Sequence, residues 1–246
     1  MVAGNYRVVV KMKYLINYAD LGFYNSRIAN SISGIQAGFD AVIQYKKEDI
    51  DSLFYEKNKH ILSQRRGAGY WLWKPYIIYK TLERVDDGDI VFYSDAGSRF
   101  IKKIDPIFDA LQKNDMGIIA FEMSGNHKEN EYCRRSVMEQ VLGKAESVYD
   151  TDQNMASFIG TKKCKLSLEI IGAWLDLCQN PDLILDKPPE DGEFSSFKDH
   201  RHDQALWSLL TKKMSIMTLP DPSQWGINHG QTKESDFFIE HHRKKI

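Results

Sequence analysis

The stretch that decides the fold lies at residues 89–97 and reads Asp89-Ile90-Val91-Phe92-Tyr93-Ser94-Asp95-Ala96-Gly97. Its apolar run shows no polar alternation, which is typical of a parallel strand that is buried on both faces. The run ends at a serine and an acid, which two small residues follow. We therefore predict the central strand of an α/β sheet, ending in a short polar turn at Asp95.

On both sides of this strand, short apolar runs alternate with amphipathic stretches. Further strands are predicted at residues 7–16, 41–45, 116–121 and 156–159, with a polar turn at residues 17–20. Helices are predicted around Ile28-Ile32-Ile35, over 52–64, from Pro75 to Val85, around 166–177 and from Asp203, which would cap the last of them. Residues 179–198 are predicted to be a loop, and residues 224–246 an extended tail. This alternation predicts βαβ units around a mostly parallel, Rossmann-like sheet flanked by helices.

Size and composition narrow the class of protein. The 246 residues fit one α/β domain, and 42% apolar with 27% charged residues is ordinary for a globular protein. A net charge of -1 gives no global attraction to nucleic acid. Three scattered cysteines argue against a disulfide framework and favour the cytoplasm. No run is long enough for a signal peptide or a membrane span, so any membrane contact would be peripheral.

Asp95 is the first candidate functional residue. Ligands bind beyond the carboxyl ends of the strands in open α/β sheets, and an acid after an apolar strand is poorly explained by packing. The carboxylate could hold a hard divalent cation that neutralises a diphosphate, with Ala96 and Gly97 letting phosphates approach the backbone. The alternative is that Asp95 simply caps the following turn, and the local sequence favours neither interpretation.

A second motif precedes the helix at Pro75 and reads Arg66-Gly67-Ala68-Gly69-Tyr70-Trp71-Leu72-Trp73-Lys74-Pro75. Its cations and glycine N–H groups suit phosphate, and its aromatic faces suit a sugar or a base. The alternative is a turn whose tryptophans fill the core. That alternative accounts less well for Arg66 and Lys74.

Two further motifs lie in the second half of the chain, at His200-Arg201-His202-Asp203-Gln204 and His241-His242-Arg243. The first could present the acid and amide of Asp203 and Gln204 to a cleft, or could be an ordinary helix cap. Its His-x-His pair has no further zinc-ligand pattern around it. The second could be a solvated basic tail, and His229 is equally ambiguous by itself.

In this order, the four motifs resemble those of small bacterial and viral glycosyltransferases of the GT-A type, over nearly the whole chain. The resemblance implies one nucleotide-diphosphosugar transferase domain over residues 1–246. Its nucleotide-sugar-binding half would cover about 1–125, and its acceptor-binding half with the tail about 126–246. It also implies Mn²⁺ or Mg²⁺ at an Asp-x-Asp motif, whose position here reads Tyr93-Ser94-Asp95, with only the second acid present.

From this resemblance and the residue chemistry we assign candidate roles. Asp203 is the catalytic candidate, either as general base for the acceptor or as a group that orients the donor. The metal candidates are Asp95 with His241 or His242, and His229 as the alternative. The donor-binding candidates are Asn17, Tyr18, Asp20, Arg66, Trp73, Lys74, Ser94, Gln204 and Arg243. The acceptor candidates are Asn154 and Ser157.

The function expected from the resemblance is transfer of a sugar from a nucleotide-diphosphate sugar to a glycan or glycolipid, in polysaccharide biosynthesis. The reaction would take place in the cytoplasm or at the inner face of the membrane, with no nucleic-acid partner. Two alternatives stay open. The missing first acid fits an inactive carbohydrate- or nucleotide-binding module. A sugar nucleotidyltransferase has a similar fold, although its usual glycine-rich N-terminal phosphate loop is absent here.

Overall fold

A computed structural model describes residues 11–123, 125, 127–189, 191–228, 230 and 233–242. Within these ranges the strands are β1 Lys13–Tyr18, β2 Ala41–Tyr45, β3 Ile90–Ser94, β4 Ser98–Phe100, β5 Ile118–Glu122, β6 Asn154–Lys162, β7 Thr218–Pro220 and β8 Ile239–His241. Six of the described strands form one sheet in the order β2-β1-β3-β6-β5-β7, and β4 pairs with β8 in a second sheet.

The large sheet is mostly parallel. Strand β1 runs parallel to β2 and β3, and β5 runs parallel to β7, whereas β6 is antiparallel to both of its neighbours. The carboxyl ends of β1 and β3 therefore meet at one edge, where Ile16 is level with Tyr93. This arrangement confirms the predicted α/β fold with a mostly parallel sheet.

Helices cover both faces of the sheet. The described helices are α1 Tyr24–Gln36, α2 Ser52–Lys57, α3 Lys59–Leu62, α4 Gly67–Tyr70, α5 Trp73–Arg84, α6 Asp105–Lys113, α7 Glu129–Tyr132, α8 Arg135–Leu142, α9 Glu146–Tyr149, α10 Lys165–Cys178, α11 Pro181–Ile184, α12 His202–Lys213 and α13 Gln224–Asn228. Val91 belongs to the apolar cluster on one face of the sheet, and Phe92 belongs to the cluster on the other. Both faces of β3 are buried, as its continuous apolar run predicted.

Several boundaries differ from the sequence prediction. Strand β1 extends to Tyr18, which is level with Tyr45 of β2, so residues 17 and 18 lie in the strand and not in a turn. Residues 7–10 of the expected first strand lie outside the described residues. The helix expected over 52–64 is divided into α2 and α3 at Asn58, and the loop expected over 179–198 contains the short α11.

Helix α1 is confirmed, but its isoleucine stripe points to solvent and a polar face is buried against the sheet. Ile32 and Ile35 are exposed, whereas Asn30 is buried. The helix packs closely on β1 at Gly34. A Cβ atom at this position would come within 2.2 Å of the Leu15 side chain. Asn30 donates hydrogen bonds to the Ser94 hydroxyl and the Ser98 carbonyl. These bonds explain why a polar face is buried here.

Among the described residues, no helix is both long enough and apolar enough to cross a membrane.

Candidate active site

A cavity of about 500 Å³ opens at the carboxyl ends of β1 and β3. Both halves of the chain line it, the first with residues between 18 and 97 and the second with Ser157 and His241. The described lining residues are Tyr18, Ala19, Asp20, Phe23, Arg65, Gly67, Ala68, Trp71, Trp73, Tyr93, Asp95, Ala96, Gly97, Ser157 and His241. The cavity thus occupies the edge at which open α/β sheets bind ligands.

Asp95 is held at this edge by its backbone. Its N–H donates to the Ser157 carbonyl at 2.9 Å, and its own carbonyl accepts from the Ser98 N–H and from the Ser98 hydroxyl. The turn after β3 is thereby closed without the carboxylate. The Tyr93 hydroxyl donates to Asp95 Oδ1 at 2.6 Å, and the partly exposed carboxylate faces the cavity.

Lys74 lies directly behind Asp95, with only 4% of its side chain exposed. Its Nζ is 3.0 Å from Asp203 Oδ2 and 3.6 Å from Asp95 Oδ1, and it donates to the Ala156 carbonyl. Burial opposes the charge of Lys74, but the two carboxylates outweigh burial and raise its pKa. Lys74 is therefore a fixed ammonium that separates two acids, and it is not among the described residues that line the cavity.

Asp203 is more deeply buried than the sequence suggested, with 5% of its side chain exposed. The capping prediction is wrong, because α12 begins at His202 and Asp203 lies inside its first turn. Burial raises the pKa of Asp203 to about 6, although Lys74 opposes this shift. The described cavity lining does not include Asp203. Its carboxylate contacts Lys74, which suits a positioning role better than contact with a substrate.

Aromatic side chains form the wall next to Asp95. The rings of Tyr18 and Trp73 stack with centroids 3.9 Å apart, and the Trp73 indole donates to the Gly67 carbonyl at 3.0 Å. Burial, reinforced by Asp20, raises the pKa of Tyr18 to about 12. Burial and Asp95 also raise the pKa of Tyr93 well above its ordinary value. Both phenols therefore stay protonated near neutral pH and can donate hydrogen bonds.

The C-terminal segment reaches the same cavity through β8. Strand β8 pairs with β4, which places His241 opposite Ser98 and lets it line the cavity together with Asp95. The His241 ring packs against Phe158, and the backbone N–H of His242 donates to the Gly97 carbonyl at 3.0 Å. Arg243 and His229, which were also candidates, lie outside the described residues.

Besides Lys74 and Gln204, three further donor candidates lie outside the cavity lining and have protein partners. Asn17 donates to Asn30 at 2.8 Å, and Asn30 in turn donates to Ser94, so Asn17 and Ser94 belong to one buried polar network. Arg66 forms ion pairs with Asp186 and Asp199. The structure gives these side chains protein partners at the positions where the sequence predicted ligand contacts.

Of the remaining candidates, Gln204 and Asn154 contact other protein side chains, and Ser157 lines the cavity. Gln204 of α12 donates to Gln153 at 3.0 Å, and Asn154 donates to Thr211 at 2.8 Å in the interior. Ser157 is the acceptor candidate that does line the cavity. The cavity thus brings together six of the sequence candidates, which are Tyr18, Asp20, Trp73, Asp95, Ser157 and His241.

Two lining residues, Phe23 and Arg65, lie outside every motif that the sequence analysis named, and Ala68 and Trp71 lie within the second motif without having been assigned a role of their own. The adjacent arginines were the available signal for Arg65, which lines the cavity while Arg66 is held by Asp186 and Asp199. Which of the two does so depends on the backbone of the next five residues, whose conformation the sequence did not reveal.

The site could hold a metal ion only with help from a ligand. Among the described lining residues the potential metal ligands are Asp20, Asp95 and His241, and no group of three His, Cys, Asp or Glu residues suitable for a metal occurs in the described part of the chain. Ser98 brings Asp95 and His241 together, because it pairs with His241 and donates to the Asp95 carbonyl. The residues two before and two after Asp95 are Tyr93 and Gly97, and both line the cavity. Neither frame of an Asp-x-Asp motif therefore supplies a second acid.

No family model matches the sequence, and no curated protein matches it either. Solved structures do match the fold. Mouse xyloside xylosyltransferase 1 superposes with a TM-score of 0.50 at 10% identity, over 94% of this chain and 97% of that one. A glycosyltransferase involved in glycosylation of the major capsid of PBCV-1 gives a TM-score of 0.50 at 9% identity, over 94% of this chain and 93% of that one.

The WbbM bifunctional glycosyltransferase gives a TM-score of 0.51 at 11% identity, over 88% of this chain and 40% of that longer one. Identities this low establish a likeness of fold alone. The chain thus has the GT-A fold of these glycosyltransferases, which confirms the fold that its four sequence motifs predicted.

Proposed function

We propose that this chain transfers a sugar from a nucleotide-diphosphate sugar to a hydroxyl group of a glycan or glycolipid. One observation carries the proposal. In a GT-A fold, the carboxylate of Asp95 faces a cavity of about 500 Å³ at the end of the central strand, backed by the buried ammonium of Lys74. The cavity is of a size that small-molecule ligands fill.

In the reaction, the bond from the anomeric carbon to the diphosphate breaks, and a bond to the acceptor oxygen forms. The diphosphate leaves with an additional negative charge, and the acceptor hydroxyl loses a proton. Stabilising the developing charge is the main requirement on the protein. Among the described lining residues, Arg65 is cationic, whereas Asp20 and Asp95 are acidic. A bound diphosphate would need a further cation in this cavity.

The donor set fits Mn²⁺ or Mg²⁺ as that cation. Asp95 and His241 are the residues that would hold the ion, and diphosphate oxygens and water would complete its shell. When bound, the ion would neutralise the departing diphosphate. His241 is favoured over His242, because it is the histidine that lines the described cavity. Tyr93 and Lys74 hold Asp95 Oδ1, so they keep the carboxylate oriented toward the cavity.

The other lining residues fit the two substrates. Tyr18, Asp20 and Trp73 form the wall at the end of β1, where a base and ribose would bind against aromatic faces. Ser157 lies on β6 and would contact the acceptor. We assign Asp203 to holding Lys74, and Arg243 to the diphosphate on the strength of the sequence motif. The glycan or glycolipid acceptor and a role in polysaccharide biosynthesis rest on the resemblance of the motifs, and a cytoplasmic site of action rests on the few scattered cysteines.

The first test is a thermal-shift screen of UDP-, GDP-, dTDP- and CMP-sugars, each with and without Mn²⁺. We expect one nucleotide class to raise the melting temperature, and more strongly with Mn²⁺, because only the folded state binds it. Nucleotide release with that donor should then depend on an added acceptor. Binding without release would favour a binding module. Pyrophosphate release from a nucleoside triphosphate and a sugar phosphate would favour a nucleotidyltransferase.

A further inference from the structure

The turn before α5 has a backbone that is rare outside glycine. Five consecutive residues have positive φ, namely Gly67 at 56°, Ala68 at 51°, Gly69 at 101°, Tyr70 at 52° and Trp71 at 59°. Helix α4 is therefore a single left-handed turn. Each residue other than glycine costs about 1–2 kcal/mol in this conformation, and such strain persists only where the surroundings enforce it.

The two glycines show how tightly the turn is packed. A Cβ atom on Gly69 would lie 2.7 Å from the Leu62 Cα, and one on Gly67 would lie 2.3 Å from the Trp71 ring. Gly67, Ala68 and Trp71 line the cavity. The strained backbone therefore forms part of the wall that a ligand would contact.

Asp186 holds this turn at both ends. Its carboxylate accepts from Arg66 Nη1 at 2.9 and 3.0 Å, just before the turn, and from the Tyr70 hydroxyl at 2.8 Å, near its end. The second nitrogen of Arg66 is 2.6 Å from Asp199. One carboxylate thus joins Arg66 and Tyr70, the first and fifth residues of a turn that is closed by the hydrogen bond from the Tyr70 N–H to the Arg66 carbonyl.

The same region supports Trp71 from behind. The Trp71 indole stacks on the His202 imidazole with centroids 5.7 Å apart, and Tyr70 contacts that imidazole edge-on. His202 is fixed by a 2.7 Å contact between its Nδ1 and the Ile184 carbonyl, two residues before Asp186. Asp186 itself is not among the described residues that line the cavity.

We infer that Asp186 is a positioning residue, which keeps the left-handed turn Gly67–Trp71 in place and so presents Trp71 and Ala68 to the ligand. The ligand part of this inference rests on the proposed function. Without the carboxylate, Arg66 and Tyr70 lose their common partner, and the turn is free to relax toward ordinary backbone angles. A ligand would then have to restore the left-handed turn before it could bind.

The test compares Asp186→Asn with Asp182→Asn. Asp182 is a matched control, because it is a nearby acid whose ion pair with Lys187 does not involve the turn. Hydrogen exchange of the Tyr70 and Trp71 amides should be at least about tenfold faster in Asp186→Asn than in the control, since the bonds that protect them open more often. This readout needs no ligand, so it decides the positioning role even if the protein binds no nucleotide.

With UDP and GDP as probes in the presence of Mn²⁺, Asp186→Asn should weaken binding of whichever one binds by at least about fivefold. The KM for the corresponding donor should rise by a similar factor, with kcat within about twofold. Ala68→Gly in the Asp186→Asn background should restore part of the affinity, because glycine adopts the left-handed conformation without strain. Failure of UDP and GDP, and of dTDP as a third probe, to bind the wild type would count against the proposed function alone.

If Asp186→Asn does not fold, Arg66→Lys replaces it, because one ammonium cannot reach Asp186 and Asp199 in the way that a guanidinium does. Amide exchange and affinity equal to those of Asp182→Asn would overturn the inference. A lower kcat with an unchanged KM would also overturn it, because Asp186 would then act on the chemical step and not on ligand binding.

Discussion

In the described part of the chain, two buried lysine–carboxylate pairs each join two helices, α5 with α12 and α7 with α12, and the first of them also contacts Asp95 at the cavity. Lys74 and Asp203 are 3.0 Å apart, with 4% and 5% of their side chains exposed, and Lys212 and Glu129 are 2.7 Å apart, with 17% and 0% exposed. Glu129 also accepts from Ser208 and Gln153, so its charge is fully surrounded by donors.

The charges around Lys74 are not balanced in this way. Lys74 lies between Asp203 and Asp95, so one ammonium faces two carboxylates. The Lys212 pair therefore acts as a closed structural unit, whereas the Lys74 cluster keeps an excess negative charge beside the cavity. The difference teaches that burial of an ion pair does not by itself mark a functional site. What marks it is a charge that the protein leaves uncompensated at the edge of a cavity.

Replacing each lysine by methionine should give the largest effect. Lys74→Met leaves the buried carboxylate of Asp203 without its cation and should cost about 3–5 kcal/mol of unfolding free energy, the scale of a broken buried pair. Lys212→Met should cost about 1–3 kcal/mol, because Glu129 keeps two hydrogen-bond donors. Urea denaturation measures both values.

The double variant Lys74→Met/Asp203→Asn refines this result. It removes one of the two acids, so it should recover part of the stability that Lys74→Met loses. Equal losses for the two lysine variants would remove the distinction between the two pairs.

The second effect concerns turnover. Asp95→Asn should lower kcat about 100-fold, or about 2.7 kcal/mol, because a neutral amide replaces the charge that a bound cation needs. Glu129→Gln should lower stability but leave the turnover of folded molecules within about twofold. Steady-state kinetics, normalised by circular dichroism, separate the two outcomes. Full activity of Asp95→Asn at limiting Mn²⁺ would exclude Asp95 from the site.

The smallest effect is the pH dependence of stability. Asp203 titrates at about 6 in the folded protein and at 3.8 ordinarily, so the folded state binds the extra proton more tightly. Its contribution to stability is complete below pH 3.8 and is lost as pH rises through 6. Between pH 5 and 7 the wild type should lose about 1 kcal/mol more than Asp203→Asn does. Parallel pH profiles for the two proteins would show that Asp203 is not perturbed by burial.

The elements that the sequence predicted well are those with a one-dimensional signal. A continuous apolar run located β3, and the break after it located Asp95 at the edge of the sheet. Aromatic density before Pro75 located the wall that contains Trp73. These features depend on neighbours along the chain, so composition and spacing were enough.

The features that the sequence did not predict depend on contacts between distant residues. Lys74 and Asp203 are 129 positions apart in the numbering, and only folding shows that they pair and lie behind the cavity. Arg66 was assigned to a ligand because nothing local revealed its partners Asp186 and Asp199. The isoleucines of helix α1 are exposed because Asn30, on the buried face, has hydrogen-bond partners on β3 and β4. The helical periodicity of the sequence does not encode these partners.

The pairing of β4 with β8 has a consequence during synthesis. Ser98 and His241 are partners, although nearly the whole second half of the chain lies between them. The ribosome therefore releases the central strand and Asp95 long before the histidine that shares their cavity. Because the chain emerges from its N-terminus first, the residues of β3 and of its neighbours in the sheet are available for pairing while the cavity still lacks one wall. A nascent chain would thus have most of its core before it could retain a ligand, and ligand binding can stabilise only the completed molecule.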